Sequence, residues 1–417
     1  MTRRLRVLLA PFGSEGDVNP LVWLGRGLKE RGHEPVFLLT PHYAHRVAGM
    51  EWHPIGTEED FLRLAGNPDL WKPVRGTLLV ARAMIESLAE YRRVFRSLRR
   101  PIDVVVTSSF GLGAACLAER ARIPHLMLHY QPICVRSVED FPVMGPESRL
   151  LGAAPRLVRR LVFGMSDLLL DTLLLPGLNR FRSALNLDPW GNFYGDALLA
   201  GDGVGLLFPE WFGGPQSDWP AGLRQFGFPI SPGNGGQPPD DLCEWFARGE
   251  APVLWTHGSA NLHVGRFQRI AIGASGKLGI RSLIVSRTAP KIDLPAGVFH
   301  CPHVPFESVF GKCRAVVHHG GIGTTAKAFA AGIPQIVMPL AHDQFDNAAR
   351  IERVGAGLIC GRSEAAAVRA LQAVLVGRRF EAGVERVRGL SASGGDLGGL
   401  CSCVEEMAGL RQVAGVV

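Results

Sequence analysis

Three short stretches carry groups that could do chemistry: Gly13-Ser14-Glu15-Gly16-Asp17, His257-Gly258-Ser259, and the run from Ala315 to Asn347, AVVHHGGIGTTAKAFAAGIPQIVMPLAHDQFDN. In the last, small residues follow a histidine pair and open an Ala-rich helical segment. Free N–H groups and the positive end of a helix dipole at that point suit an anion, phosphate best of all. His319, Gly321, Gly323 and Thr324 stand there, and Ser259 offers a further hydroxyl. Asp343 and Gln344 follow the next apolar run, at the kind of strand end where polar groups face a ligand. In the first stretch Asp17 is the most reactive group, and it could accept a proton if burial in a closed cleft raised its pKa. Phosphate binders on one wall and a lone carboxylate on the other suit transfer of a group activated by a diphosphate.

Each stretch follows or opens on an apolar run of the sort that makes a buried parallel strand: Arg6–Ala10 before the first, 252–256 before the second and 315–317 at the start of the third. Further strands are expected at 35–39, 102–107, His125–His129, 205–208, 282–286, 298–300 and 335–339, with helices between them. The alternation occurs on both sides of a Gly- and Pro-rich segment, 227–239. The expected fold is therefore α/β, with two Rossmann-like doubly wound domains facing across a cleft. Residues 1–228 form the first, 229–240 the linker and 241–417 the second, whose last helix packs back on the first. The loop after Arg6–Ala10 lacks G-x-G-x-x-G, which argues against a dinucleotide oxidoreductase.

Composition narrows the classes further. The chain has 417 residues, 47% of them hydrophobic, and a formal charge of +7. Its arginines are scattered, with no long basic run or zinc-finger spacing, so a nucleic-acid partner is not expected. The eight cysteines include no C-x-x-C pair and read as buried reduced thiols. The apolar run after the N-terminal arginines is too short for a signal peptide, and no uninterrupted apolar stretch is long enough to span a bilayer. A cytoplasmic protein is expected. From 149 to 182 arginines alternate with Leu, Val and Phe runs, which fits either solvated arginines on helices covering a sheet or peripheral contact with lipid at the inner membrane surface.

The segment His303-Val304-Pro305, the run HHGGIGTT at 318–325, Gly332-Ile333-Pro334 and His342-Asp343-Gln344 together resemble the C-terminal signature of GT-B fold nucleotide-sugar glycosyltransferases, the family of natural-product and sterol glycosyltransferases. The resemblance covers almost the whole chain. Within the family the nearest likeness is to the bacterial rhamnosyltransferase of rhamnolipid synthesis, carried by stretches such as Asn67-Pro68-Asp69-Leu70-Trp71 and Ala341-His342-Asp343-Gln344-Phe345-Asp346-Asn347. It implies an inverting enzyme with Asp17 as the base. It implies that Ser259, His319, Gly321, Gly323 and Thr324 bind the donor diphosphate, that His303 and Val304 lie by the nucleoside, and that Asp343 and Gln344 hold the sugar. Gly13, Ser14 and Gly16 form a loop that meets phosphate or acceptor. Where plant relatives have a ribose-binding glutamate this chain has Lys327, which favours a dTDP-linked sugar, dTDP-L-rhamnose first, over UDP-glucose. No D-x-D motif appears, so no metal and no cofactor besides the nucleotide sugar is required. The acceptor is expected to be a hydrophobic hydroxyl compound, such as a hydroxy-fatty-acid lipid or natural-product aglycone.

Other readings compete for some of these residues. His318 and His342 suit structural roles as well as ligand roles, Asp346 and Asn347 could cap the following helix, and Asp17 could cap the first one. Trp71, Phe141, Met144, Trp190 and Phe193 could line an acceptor pocket or belong to the core. At the level of function, a UDP-glucose-dependent enzyme acting on a sterol- or polyketide-like aglycone, a GT-B nucleotide-sugar epimerase and a non-catalytic partner protein remain as rivals.

Overall fold

The apolar runs become the buried strands of two parallel sheets. In the computed structural model residues 3–145, 147–230, 236–258 and 264–414 are described, the last few by backbone alone. Strands β1 (Arg6–Ala10), β2 (Glu34–Leu39), β3 (Glu51–Pro54), β4 (Val104–Ser108), β5 (His125–His129), β6 (Gly203–Leu206) and β7 (Arg224–Gln225) make the first sheet, in the order β3-β2-β1-β4-β5-β6-β7. Strands β8 (Val253–Thr256), β9 (Ser282–Val285), β10 (Val298–Cys301), β11 (Ala315–His318), β12 (Gln335–Val337) and β13 (Gly357–Ile359) make the second, in the order β10-β9-β8-β11-β12-β13. Adjacent strands are parallel throughout, so helices must cover both faces.

The helices of the first half are α1 (Glu15–Glu30), α2 (Glu58–Ala65), α3 (Pro73–Ser97), α4 (Leu112–Ala121), α5 (Arg156–Ser183) and α6 (Glu210–Gly213). Those of the second are α7 (Asp240–Ala247), α8 (Gly265–Leu278), α9 (Phe306–Val309), α10 (Ile322–Ala331), α11 (Gln344–Arg353), α12 (Glu364–Leu375), α13 (Glu381–Ser391) and α14 (Leu397–Ala414). Strand order reverses between β1 and β4 in one sheet and between β8 and β11 in the other. Crevices at such reversals are where doubly wound sheets bind ligands. The three chemically promising stretches leave the carboxyl ends of β1, β8 and β11, at these two points.

The sequence pattern misses β3, β7 and β13 and the helices α6, α7 and α13. β3 is a sheet edge with polar, mostly exposed residues ending in proline, and β7 and β13 hold too few residues to show a period.

An aromatic seam joins the two halves. Phe329 of α10 meets Trp211, Phe212 and Phe228 at centroid distances of 5.2, 5.8 and 6.2 Å. α14 lies on the first half, where Leu397 fills the space left by Gly27 and Glu405 accepts hydrogen bonds from Arg31 Nη1 at 3.0 Å.

α5 departs from expectation. Over a window of mean hydropathy 1.6 it is long and apolar enough to cross a membrane, despite Asp167 and Asp171, and only 17% of that window is buried. Both acids turn inward: Asp167 pairs with Arg136, and Asp171 Oδ1 accepts a hydrogen bond from Phe193 N at 2.7 Å. The helix thus lies along the protein as a surface element.

Candidate active site

The first loop is shaped around Asp17. Ser14 is the N-cap of α1 and Asp17 its third residue, and the two form a capping box. Asp17 Oδ2 accepts from Ser14 N at 2.7 Å and from Ser14 Oγ at 3.2 Å. Gly13 has φ +129, a value other residues avoid, and a β-carbon there would strike the Asp17 carboxylate. Asp17 therefore does serve the helix start, as the third residue of the box while Ser14 is the cap. These bonds run to Oδ2, which leaves Oδ1 to take a proton. Burial pushes the carboxyl up to about 6, against the opposing effect of the Ser14 bonds.

Residues from neighbouring strand ends hold this loop. Ser108 Oγ, at the end of β4, accepts from Phe12 N at 2.9 Å, and Tyr130 Oη, just after β5, donates to Asp17 O at 3.1 Å. Sequence reasoning missed both, because each acts on a backbone atom distant in sequence. The available signal was their position at strand ends.

The opposite wall is built on β11, α10 and the start of α11. His318 is structural: it accepts from Gly320 N through Nδ1 at 3.2 Å and bonds Gln335 Oε1 through Nε2 at 2.9 Å, fully buried. His319 is held between glycines. A β-carbon on Gly258, itself at φ +79, would lie 2.5 Å from the His319 ring, and one on Gly321 would strike it too. Burial lowers His319 to about 4, so the ring is neutral at physiological pH and carries one N–H. Its Nδ1 is buried with no partner among the described residues. Gly321, the N-cap of α10, supplies no capping side chain, and Gly323 borders open space. Thr324 is nearly buried beside them. An uncapped helix start with an unpartnered imidazole nitrogen beside it, able to carry the ring's one N–H, matches an acceptor-rich anion.

Asp343 lies at the start of α11, and its Oδ2 accepts from Asn347 Nδ2 at 2.7 Å. Burial raises Asp343 to about 7, and the nearby carboxylates of Asp17 and Asp346 add to the rise. Asn347 Nδ2 also donates to Gly320 O at 2.9 Å, tying the anion loop to the Asp343 loop instead of capping the helix. Gln344 spends its Oε1 on Leu340 N at 2.8 Å and Ala341 N at 3.3 Å, so its amide nitrogen is the group left for a ligand. His342, at φ +58, bonds Leu70 O across the cleft at 3.1 Å with its ring edge toward Trp71.

Other residues singled out in the sequence have different places. The Val304 side chain is buried in a satellite core with Leu254 and Phe310, which leaves its backbone as the part open to a ligand, while His303 is exposed. Lys327 is ion-paired with Glu307 Oε1 at 2.8 Å. Trp190 and Phe193 are core, Phe141 stacks on Phe163 and Met144 is exposed. Gly16 N donates to Ser14 Oγ at 3.3 Å. Ser259 lies outside the described residues.

A buried ionic network ties α11 to the segment after β5. Arg350, 2% exposed, donates through Nε to Asp346 Oδ2 at 2.7 Å and through Nη1 to Asp140 Oδ2 at 2.6 Å and Phe212 O at 3.1 Å. Arg353 Nη1 adds a bond to Asp140 at 2.9 Å, and Asp346 Oδ1 accepts from Val143 N at 3.0 Å.

Two facing parallel-sheet domains with a cleft at their strand ends match solved structures over nearly the whole chain. The calicheamicin glycosyltransferase CalG4 superposes with a TM-score of 0.70 at 23% identity, covering 98% of this chain and 99% of that one. The fold is GT-B. A second GT-B structure, the spinosyn rhamnosyltransferase SpnG complexed with thymidine diphosphate, gives 0.64 at 20% identity over 99% of this chain and all of that one. Residues 282–394 match the C-terminal domain family of erythromycin biosynthesis protein CIII-like proteins, which takes in the anion loop and Asp343. In sequence the chain is 29% identical over 364 residues to an O-mycaminosyltylonolide 6-deoxyallosyltransferase of Streptomyces fradiae, covering 84% of each. It is thus homologous to glycosyltransferases along most of its length.

Proposed function

We propose that this chain is an inverting glycosyltransferase that moves a sugar from a nucleoside diphosphate donor, dTDP-L-rhamnose favoured, to a hydroxyl of a hydrophobic acceptor. The observation that carries the reading is a carboxyl raised to about 6, Asp17, across from an uncapped helix start. The acceptor O–H donates its proton to Asp17 Oδ1 as its oxygen forms the bond to the anomeric carbon. The bond from that carbon to the diphosphate breaks on the opposite face, and the electron pair leaves with the diphosphate. The N–H groups at the start of α10 and the neutral ring of His319 take up the growing charge by hydrogen bonding. Asp343 and the Gln344 amide hold sugar hydroxyls.

The dTDP preference rests on two supports. Position 327, a ribose-binding carboxylate in plant relatives, carries an ion-paired lysine here, and SpnG was solved with thymidine diphosphate. In a thermal-shift titration dTDP is expected to raise the melting temperature more than UDP at equal concentration, since a ligand that binds only the native state stabilises it in proportion to its affinity. A larger shift with UDP overturns the donor preference, and no shift with either overturns the glycosyltransferase reading.

The glycine cradle of His319 gives a second prediction. Gly258→Ala strains the backbone and pushes the ring away, so dTDP affinity should fall about tenfold or more, the worth of one hydrogen bond to a charged group. Titration calorimetry on the folded variant measures this, and unchanged affinity would remove His319 from the diphosphate site.

A further inference from the structure

We infer that the outward face of α5 is a docking surface for an anionic phospholipid bilayer. Leu157, Leu161, Met165, Leu168, Leu169 and Leu173 recur at helical spacing along this face, and Leu161, Met165 and Leu168 are 61, 74 and 70% exposed. Only the C-terminal part of the helix, from Leu174 on, carries buried residues. The polarity of an ordinary surface helix is inverted here: the leucines meet solvent while the polar groups face the protein. Asp167 pairs with Arg136, Ser166 Oγ accepts from Arg136 Nη2 at 3.0 Å, and Asp171 accepts from Phe193 N. Between Arg160 and Arg180 the helix has no charged residue other than those two inward acids.

Arginines bound the stripe at both ends. Arg156, Arg159 and Arg160 flank its first turn and Arg180 closes it, with Arg156 paired to Glu139 and with Arg160 and Arg180 exposed. The span between them is roughly 30 Å at 1.5 Å per residue. A helix of this kind settles at the boundary of headgroups and acyl chains, its leucines in the chains and its arginines at the phosphates. Charge decides between bilayer and second copy. A second copy would set arginine ends against a face that presents no carboxylate to answer them, whereas anionic phosphates answer them directly. The chain's formal charge of +7 acts in the same direction.

The surface does not depend on the donor chemistry, so its test needs no substrate. The intact protein is sedimented with vesicles of phosphatidylcholine containing phosphatidylglycerol, or of phosphatidylcholine alone, at low and high salt. Binding is expected to the anionic vesicles and to weaken at high salt. The combined substitution Leu161→Glu, Met165→Glu and Leu168→Glu should lower partitioning roughly 100-fold or more, because each change removes an apolar side chain that enters the acyl chains and adds a charge of the wrong sign. Its circular dichroism and melting temperature should stay near those of the parent, since the replaced side chains are exposed. No binding by the parent overturns the inference, as does equal binding by the triple variant. A concentration-dependent dimer broken by the same substitutions, without vesicle binding, assigns the face to a second copy and overturns it as well.

Discussion

Replacing Asp17 with asparagine is expected to lower turnover by about 10²- to 10⁴-fold while leaving the chain folded, the usual range for losing a general base. Asparagine keeps an oxygen where Ser14 N and Ser14 Oγ donate, so the capping box and the start of α1 survive. What it cannot do is take the acceptor's proton. The pH profile should separate the two roles. With a carboxyl near 6, kcat/KM of the parent rises with pH to about that value and then levels, and the variant should lose this limb. Asp343, raised to about 7 chiefly by burial, titrates in the same range, so the Asp17→Asn profile is needed to show which limb belongs to Asp17. Near-normal turnover of a folded Asp17→Asn protein would end the general-base assignment.

The same carboxyls give stability a pH dependence of a definite sign. Both sit above the ordinary carboxylate value in the folded chain, so the native state holds protons more tightly than the unfolded one. Their contribution is present below about pH 4 and is lost as the pH rises through about 6 to 7. Asp17→Asn should flatten part of that decline in the ligand-free protein, read as melting temperature against pH.

Arg350→Ala is expected to cost about 3–5 kcal/mol of stability, the magnitude for removing one partner of a buried ionic group. Arg350 is almost wholly enclosed, and its loss leaves the buried carboxylate of Asp346 without its cation and Asp140 with only the exposed Arg353. Asp140→Asn should cost less, because Arg350 then retains Asp346 and the Phe212 carbonyl. Urea denaturation followed by two probes, one in each half, would measure it. The Arg350 variant should also show the halves separating before either unfolds, since the network links α11 to the segment after β5. A loss below about 1 kcal/mol would mean that the seam around Phe329 carries the docking alone.

The architecture was largely legible because parallel strands buried on both faces read as unbroken apolar runs. β1 and β5 match their expected bounds, and most others shift by a residue or two. Edge strands such as β3 lack that signature, since one side has no neighbour to shield it. His319 and Thr324 could be picked out because their surroundings are local, with glycines and a helix start adjacent in sequence. The partners of Asp17 and Arg350 could not: Tyr130 is 113 positions from Asp17, and Asp140 is 210 from Arg350. Val304 shows the complementary limit, as a motif position whose side chain the core claims. Lys327 reads alone as a free helix lysine, and only folding brings Glu307 against it.

The return of α14 constrains motion. The chain leaves the first half near Phe228 and comes back at Gly395 and Asp396, where Asp396 N donates to Phe226 O at 2.7 Å and Gly395 packs against Gly227 and Phe228. The two crossings therefore run side by side. Bodies joined by a single thread can swivel about it, whereas two adjacent threads leave rotation about one axis along the line between them. Any opening of the cleft would have to bend both crossings together, and a cut in one of them would leave the halves joined through the other.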